Sequence, residues 1–247
     1  MEIDLAVAKI NKFSSPESGD TLEVIERPGG GISVVLADGQ YEHQSSKSVS
    51  SKVVHTAISL LMEGIRDGAA ARAASDNLYI EYNGKALAYM NIISVDLQTN
   101  TIVLLQNNPL PIYIVRGERI DLIQRESTPI GTSRNIRPSI TEIPLESGLW
   151  IIMHTLGIHT AGKQYNQEID IPMILESMFE DQEPSAKQIA DTLISEAIRL
   201  DHGRPWDDMS VVVLQTSSRY NDNVRRLTIR LPVEKTANDE DNSQRSF

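Results

Sequence analysis

Three acidic segments stand beside predicted β-strands and could together bind a divalent cation. Asp20 precedes the second strand, Asp38-Gly39 ends the third, and Asp207-Asp208 opens a late strand. Carboxylates are the ligands that Mg²⁺ and Mn²⁺ prefer, and a glycine allows its own carbonyl to approach an ion closely. Asp and Gly are also the commonest turn residues, so each segment taken singly is explained by a turn. Their meaning depends on whether the fold brings them together.

Other reactive groups are sparse in this sequence. The absence of cysteine excludes a disulfide, a thiolate metal site and a cysteine nucleophile. No Gly-x-Ser-x-Gly elbow of a serine hydrolase occurs, and His55, His159 and His202 lack the paired spacing of a zinc site. The glycine run at 29–31 leads into a strand, whereas a phosphate-binding loop needs a helix after its glycines, so a hairpin is indicated. The carboxylates remain the main candidates for chemistry.

The first third of the chain changes from strand to helical periodicity. Apolar runs predict three strands within residues 3–37. Apolar residues spaced three or four apart predict a helix within 45–68. An alanine-rich second helix over 69–82 should end at Asn83-Gly84, a typical stop signal. The two predicted helices are therefore the next elements after Asp38-Gly39, the candidate metal ligands.

The rest of the chain alternates a long strand meander with a second helical region. Six strands are predicted within residues 86–155, separated by short polar turns. Two helices follow, and the second begins at Ser185 with Gln188 three residues later, the pattern of a capping box. Strands at 209–214 and 227–231 complete the prediction.

This order of elements predicts an α+β fold. Strands that are segregated from helix pairs favour a four-layer α-β-β-α sandwich over a doubly wound parallel sheet. The two sheets should be mainly antiparallel, and each should be flanked by a helix pair. We expect one domain over residues 1–235, followed by a disordered acidic tail over 236–247.

Composition restricts the partners and the compartment. The 34 acidic side chains against 23 Lys and Arg give a net charge of −11, which disfavours non-specific binding to nucleic acid. No apolar run approaches the roughly 18 residues of a membrane span. Charged residues interrupt the first twenty positions, so a signal peptide is not predicted. We expect a cytoplasmic protein that binds neither nucleic acid nor membrane, with its oligomeric state left open.

Three segments, in this order and context, resemble the metal-dependent type 2C protein phosphatases. They are Ala-Asp-Gly at 37–39 between a strand and a helix, the segment 148–158 that closes the meander, and 204–213, which runs through Asp-Asp into a strand. The most similar branch is the bacterial one that includes the stage II sporulation phosphatase and the stress-response regulatory phosphatases. The resemblance covers about residues 3–215 and implies hydrolysis of phosphoserine or phosphothreonine with Mn²⁺ or Mg²⁺.

The resemblance also implies roles for individual residues. In this family two metal ions share a water or hydroxide that attacks phosphorus, because the ions lower the pKa of the water and clamp the phosphoryl oxygens. Asp38 would bridge the two ions, and the Gly39 carbonyl would bind one of them. Asp207 would be a ligand of the other ion, with Asp208 in a secondary role. Asp20 would orient a water on the metal.

The sequence departs from the family pattern in two places. Leu156 stands where the family has the aspartate of a Thr-Asp-Gly or Ser-Asp-Gly segment, and leucine cannot coordinate a metal. Residues 40–44 replace the glycines that usually follow the first Asp-Gly. Glu42, His43 and His154 are the nearest candidates to compensate, His154 by sharing a strand face with Leu156, although a lone histidine more often has a structural role.

Two functions from different classes follow. The first is metal-dependent hydrolysis of phosphoserine or phosphothreonine on a regulatory protein. The second is a degenerate pseudophosphatase that binds a phosphoprotein or signalling partner without turnover. Asp20, Asp38 and Asp207 favour the enzyme, and Leu156 favours the pseudophosphatase.

Overall fold

Two antiparallel sheets and two helical regions make up the part of the chain that is described. A computed structural model describes residues 1–180, 182–218, 224, 226 and 228–230. The strands in these ranges are β1 (Glu2–Ile10), β2 (Asp20–Glu26), β3 (Gly31–Tyr41), β4 (Gln44–Ser45), β5 (Ala86–Asp96), β6 (Thr101–Asn107), β7 (Ile112–Arg116), β8 (Arg119–Ile123), β9 (Ser139–Pro144), β10 (Leu149–His154) and β11 (Met209–Ser217). The helices are α1 (Lys47–Met62), α2 (Asp67–Tyr82), α3 (Leu156–Thr160), α4 (Ile171–Phe179) and α5 (Ala186–Leu200), with a 3₁₀ turn at Lys163–Tyr165.

The strands divide into two sheets with simple topologies. The first sheet has the order β1-β11-β10-β7-β8, and the second has the order β2-β3-β5-β6-β9 with the short β4 paired to β3. Every pairing in both sheets is antiparallel. The ladder of β1 on β11 places Ile10 opposite Met209, so the end of β1 meets the start of β11.

Three buried clusters define four layers. One cluster lies between the two sheets and includes Leu36 and Met153. A second packs α1 and α2 against the β3-containing sheet, and a third packs α3, α4 and α5 against the other. The predicted four-layer α-β-β-α sandwich is confirmed, with three helices instead of a pair on one outer face.

Local sequence explains where the helices begin and end. The buried face of α2 is made mostly of glycine, alanine and serine, small residues that let the helix approach the sheet closely. Asn83 ends α2 in the left-handed conformation, with φ of 51°, as the Asn-Gly pair predicted. Ser185 caps α5 and forms both hydrogen bonds of a capping box with Gln188. Burial of an apolar face is the main source of stability for such short helices.

Two expectations about the strands need correction. β3 does not end at Asp38 but continues to Tyr41, because the chain turns back through Glu42 and His43 to pair as β4. Both turn residues have positive φ, 48° and 65°, as a two-residue hairpin turn requires.

The second correction concerns the end of the chain. Residues 228–230 are not in a strand, and the other two positions of the strand expected at 227–231 lie outside the described residues. The tail expected at 236–247 lies outside them as well. Among the described residues, no helix combines the length and hydropathy that crossing a bilayer requires.

Candidate metal centre

The acidic residues singled out in the sequence meet at one end of the two sheets. Asp20 and Asp38 are directly opposed partners in the antiparallel ladder of β2 and β3. Asp207 and Asp208 lie immediately before β11 in the other sheet. Charge interactions connect Asp38 with the other three carboxylates, so the four share one electrostatic environment.

Asp20 is held in place from both sheets. Its side chain is fully buried, and its Oδ2 accepts hydrogen bonds from Thr155 Oγ1 at 3.0 Å and Ser210 Oγ at 2.6 Å. Its Oδ1 is buried and has no hydrogen-bond partner in the described part of the chain. Burial raises the pKa of the Asp20 carboxyl to about 7, even though the two hydroxyls and the Lys9 ammonium favour the ionised form. A buried carboxylate oxygen with no partner is a position that a cation or its water would satisfy.

Asp38 is the carboxylate with the least compensation. It is 7% exposed, and no hydrogen bond or ion pair to its carboxylate is found within the described residues. Burial, together with the negative charges of Asp20, Asp207 and Asp208, raises the pKa of the Asp38 carboxyl to about 8, against the opposing effect of the Lys12 charge. A carboxylate of this kind is costly unless a positive charge approaches it.

Gly39 is fixed by the close approach of α1. A side chain at this position would collide with the backbone of Ser46 and Ser50. The Gly39 N–H donates to the Gly19 carbonyl at 3.3 Å, and its own carbonyl accepts from the Ser46 N–H at 2.7 Å. The carbonyl therefore already has one partner, and a cation would have to use its second lone pair.

Asp208 ties loops together through three hydrogen bonds to its carboxylate. Its Oδ1 accepts from the Lys12 N–H at 3.1 Å, and its Oδ2 accepts from the Gly19 N–H at 2.9 Å and Ser45 Oγ at 2.7 Å. The neighbouring Asp207 is half-buried and accepts a hydrogen bond from the Asp208 N–H at 2.9 Å. Burial raises the pKa of the Asp207 carboxyl. Of the pair, Asp207 has more freedom to bind an ion.

Leu156 begins α3 beside these residues. The helix packs so closely on the 207–208 loop that a side chain on Gly157 would collide with the Asp208 carbonyl. The preceding residue, Thr155, donates to Asp20 and accepts from the Ser210 N–H at 2.9 Å. Position 156 thus lies next to the centre, but its side chain supplies no ligand atom.

The residues considered as substitutes are either exposed or held by other contacts. Glu42 and His43 are exposed at the hairpin tip, and Glu42 Oε1 is 3.7 Å from Lys85 Nζ. His154 is buried, its Nδ1 is 3.1 Å from the Thr155 carbonyl, and burial lowers its pKa to about 4. β10 ends at His154 and a helix follows, so the strand alternation that would put His154 and Leu156 on one face does not continue.

The donor set suits a hard cation. Within the described residues Asp20 Oδ1 is a buried oxygen without a hydrogen-bond partner, the carboxylate of the 7% exposed Asp38 also lacks one, and Asp207 adds a third carboxylate to the same field. In the described part of the chain, no three acidic or histidine side chains converge closely enough to hold a metal ion as they stand.

Several supporting groups were missed in the sequence. Thr155 and Ser210 position Asp20, and the ammonium groups of Lys9 and Lys47 both donate to the Asp20 carbonyl, at 2.9 and 2.8 Å. Their positions gave little warning, because serine, threonine and lysine are common on any surface. The one signal in the sequence was that Thr155 directly precedes Leu156, the position that departs from the family pattern.

Comparison with known families and proteins agrees with the geometry. The family model for stage II sporulation protein E (SpoIIE) matches residues 28–217. Stage II sporulation protein E of Priestia megaterium is 25% identical over 212 residues, which cover 85% of this chain and 36% of the relative. The protein of the same name from Bacillus subtilis strain 168 is 24% identical over 199 residues, or 80% and 24% of the two chains. The chain thus spans about a third and a quarter of these relatives.

Solved structures share the fold. The PP2C phosphatase domain of SpoIIE from Bacillus subtilis, solved with a fragment of its regulatory domain, superposes with a TM-score of 0.74 at 22% identity over 89% of this chain and 64% of that one. The catalytic domain of the serine/threonine phosphatase PstP, in complex with two manganese ions, superposes with a TM-score of 0.68 at 17% identity. The match covers 87% of this chain and 99% of that one. RsbX in complex with magnesium superposes with a TM-score of 0.67 at 14% identity, over 87% of this chain and 96% of that one. At these identities the likeness establishes the fold, which is that of the PP2C phosphatases.

Proposed function

This chain belongs to the stage II sporulation protein E (SpoIIE) family, and we propose that it hydrolyses phosphoserine or phosphothreonine on a regulatory protein with Mn²⁺ or Mg²⁺. One observation carries the proposal. Asp38 is a buried carboxylate with no partner among the described residues, and it lies in the field of Asp20, Asp207 and Asp208. Without a cation such a cluster opposes folding, so its presence is best explained by a cation that binds there.

The metal would be held mainly by carboxylate oxygens. Asp38, with Asp207 and the second lone pair of the Gly39 carbonyl, would bind it, and Asp20 would lie behind them. The manganese of PstP and the magnesium of RsbX, which have the same fold, support the choice of ion. When bound, such an ion lowers the pKa of water and neutralises phosphoryl charge, the two requirements of phosphate ester hydrolysis.

The protein's own groups would orient the reactants. Thr155 and Ser210 fix the Oδ2 of Asp20, which leaves Oδ1 to accept a proton from an attacking water. With its pKa raised to about 7, Asp20 can hold that proton near neutral pH. Lys12 is a cation in the same field and would attract the phosphate of the substrate.

A pseudophosphatase is the second candidate, and Leu156 favours it. This residue supplies no ligand atom beside the centre, and Asp208 already accepts three hydrogen bonds from neighbouring loops. A centre with fewer ligands would hold metal weakly, while the surrounding surface would still bind a phosphoprotein.

We also propose that residues 1–235 form one cytoplasmic domain with a separate tail at 236–247.

Turnover with added Mn²⁺ separates the two candidates. We would measure hydrolysis of p-nitrophenyl phosphate and of a phosphoserine peptide by wild type, Asp38→Ala and Leu156→Asp. The enzyme proposal expects Asp38→Ala to lose at least about 100-fold in kcat/KM, and it is wrong if wild type and Asp38→Ala are equal. A gain in Leu156→Asp, with none in the control Leu122→Asp on the exposed face of β8, would show that the missing carboxylate limits activity.

A further inference from the structure

An exposed aromatic pair borders the candidate metal centre. Phe13 is 65% exposed and Trp206 is 58% exposed, among the most exposed of the large apolar side chains described. The Phe13 N–H donates to the Pro205 carbonyl at 2.8 Å, which joins the segment after β1 to the segment before β11. The two rings therefore belong to adjacent stretches of backbone.

The same two stretches carry residues of the centre. Phe13 directly follows Lys12, whose N–H binds Asp208 and whose charge acts on Asp38. Trp206 directly precedes Asp207. Consecutive Cα atoms are about 3.8 Å apart, so each ring is attached one residue away from a group of the centre. The backbone that carries the two rings is therefore the backbone that also carries the centre.

Positive charge accompanies the rings. The guanidinium carbon of Arg204 lies 5.1 Å from the centroid of the Phe13 ring, in a cation–π contact. The exposed Arg204 makes no ion pair with the described part of the chain. In a protein of net charge −11, Lys12 acts electrostatically on Asp38, and Arg204 lies against the ring of the next residue, Phe13. Positive charges at these positions complement the negative charge of a phosphate.

We propose that Phe13, Arg204 and Trp206 form a docking surface for the segment of a phosphoprotein that carries the phosphorylated residue. The two rings would hold an apolar side chain of that segment, and Arg204 with Lys12 would attract its phosphate. Tryptophan and arginine dominate the binding energy of protein interfaces, which suits an exposed pair of this kind. This inference rests on the proposed function of the centre, and it specifies which substrates that centre would prefer.

Trp206 supplies its own readout. The chain has two tryptophans, and Trp150 is 1% exposed against 58% for Trp206. A phosphoserine peptide with a leucine two residues from the phosphoserine should shift the emission of Trp206 to the blue. The same peptide with alanine in place of leucine, and the unphosphorylated peptide, should each bind at least about fivefold more weakly. Equal binding of the leucine and alanine peptides would overturn the docking surface.

Kinetics provide a second test. In Trp206→Ala and Phe13→Ala, the ratio of kcat/KM for the leucine peptide to kcat/KM for p-nitrophenyl phosphate should fall at least about fivefold, mainly through KM. Leu122→Ala is the control, because Leu122 is 54% exposed on β8, at the edge of the sheet opposite β1. An unchanged ratio in both aromatic variants would contradict the inference.

The two proposals fail in different ways. If no phosphate compound is hydrolysed but the peptide still shifts Trp206 emission, the proposed hydrolysis is wrong and the docking surface stands. If p-nitrophenyl phosphate is hydrolysed and the peptide data are insensitive to Phe13 and Trp206, the reverse holds. An emission shift that follows protein concentration instead of peptide, with a dimer in sedimentation, would assign the surface to a second copy of the chain and overturn the proposal.

Discussion

Replacing Asp38 by asparagine should stabilise the metal-free protein at alkaline pH. The substitution removes the negative charge and keeps the shape of a side chain that is 7% exposed and lacks a partner among the described residues. Most substitutions of buried residues destabilise a protein. A gain in stability would therefore be a specific sign that this carboxylate opposes folding when no cation is present.

The size and pH range of the effect follow from the pKa of Asp38. Burial first, and then the neighbouring carboxylates, raise this pKa from its ordinary value of 3.8 to about 8. Below pH 4 the carboxyl is protonated in both the folded and the unfolded protein. Between pH 4 and pH 8 the unfolded state loses its proton and the folded state keeps it, so stability falls as the pH rises. At about 1.4 kcal/mol per pH unit, the full loss is on the order of 5 kcal/mol.

Urea denaturation with a chelator present, at several pH values from 5 to 8.5, measures the effect. Water that enters the site reduces part of the cost of the buried charge. We therefore expect the free energy of unfolding of Asp38→Asn to exceed that of wild type by at least about 2 kcal/mol at pH 8 and by much less at pH 5. Asp4→Asn, an exposed position on β1, is the control and should show no such trend. A difference between Asp38→Asn and wild type that is the same at pH 5 and pH 8 would refute the reasoning.

Three further substitutions test other contacts. Gly39→Ala should lower the free energy of unfolding by about 3 kcal/mol or more in urea denaturation, because its Cβ would collide with the start of α1. Gly117→Ala is the control: its Cβ would meet no atom, so only the positive φ is unfavourable and the loss should be near 1 kcal/mol. Thr155→Val removes a donor from buried Asp20 and should cost about 2 kcal/mol, and Thr155→Ser, which keeps the hydroxyl, should restore most of it. Ser185→Ala removes the capping box of α5 and should lower stability by about 1 kcal/mol, and a loss below the error of thermal unfolding would contradict that role.

The sequence predicted the layers well because periodicity and turn residues are local signals. The helix stop at Asn83 and the cap at Ser185 were read from two or three residues each, and both are present. The extension of β3 beyond Asp38 was not predicted. It depends on a hairpin whose two turn residues, Glu42 and His43, are not the Asn-Gly or Asp-Gly pairs that usually mark such turns.

The centre was only partly predictable. Asp20 and Asp38 meet through the register of two adjacent strands; the sequence placed both beside predicted strands but did not predict that register. The engagement of Asp208 with three different donors depends on tertiary contacts between residues 163 to 196 positions apart. No pattern within one segment encodes such contacts, so the sequence could not show that Asp208 accepts more hydrogen bonds than Asp207.

Titration of Mn²⁺ by calorimetry tests the account most directly, because every step of the proposed function requires that the Asp38 centre bind a divalent cation. At pH 8 we expect wild type to bind Mn²⁺ with an affinity at least about tenfold higher than that of Asp38→Ala, while Asp4→Ala matches wild type. Heats that are absent at millimolar Mn²⁺, or that are identical in wild type and Asp38→Ala, would contradict it.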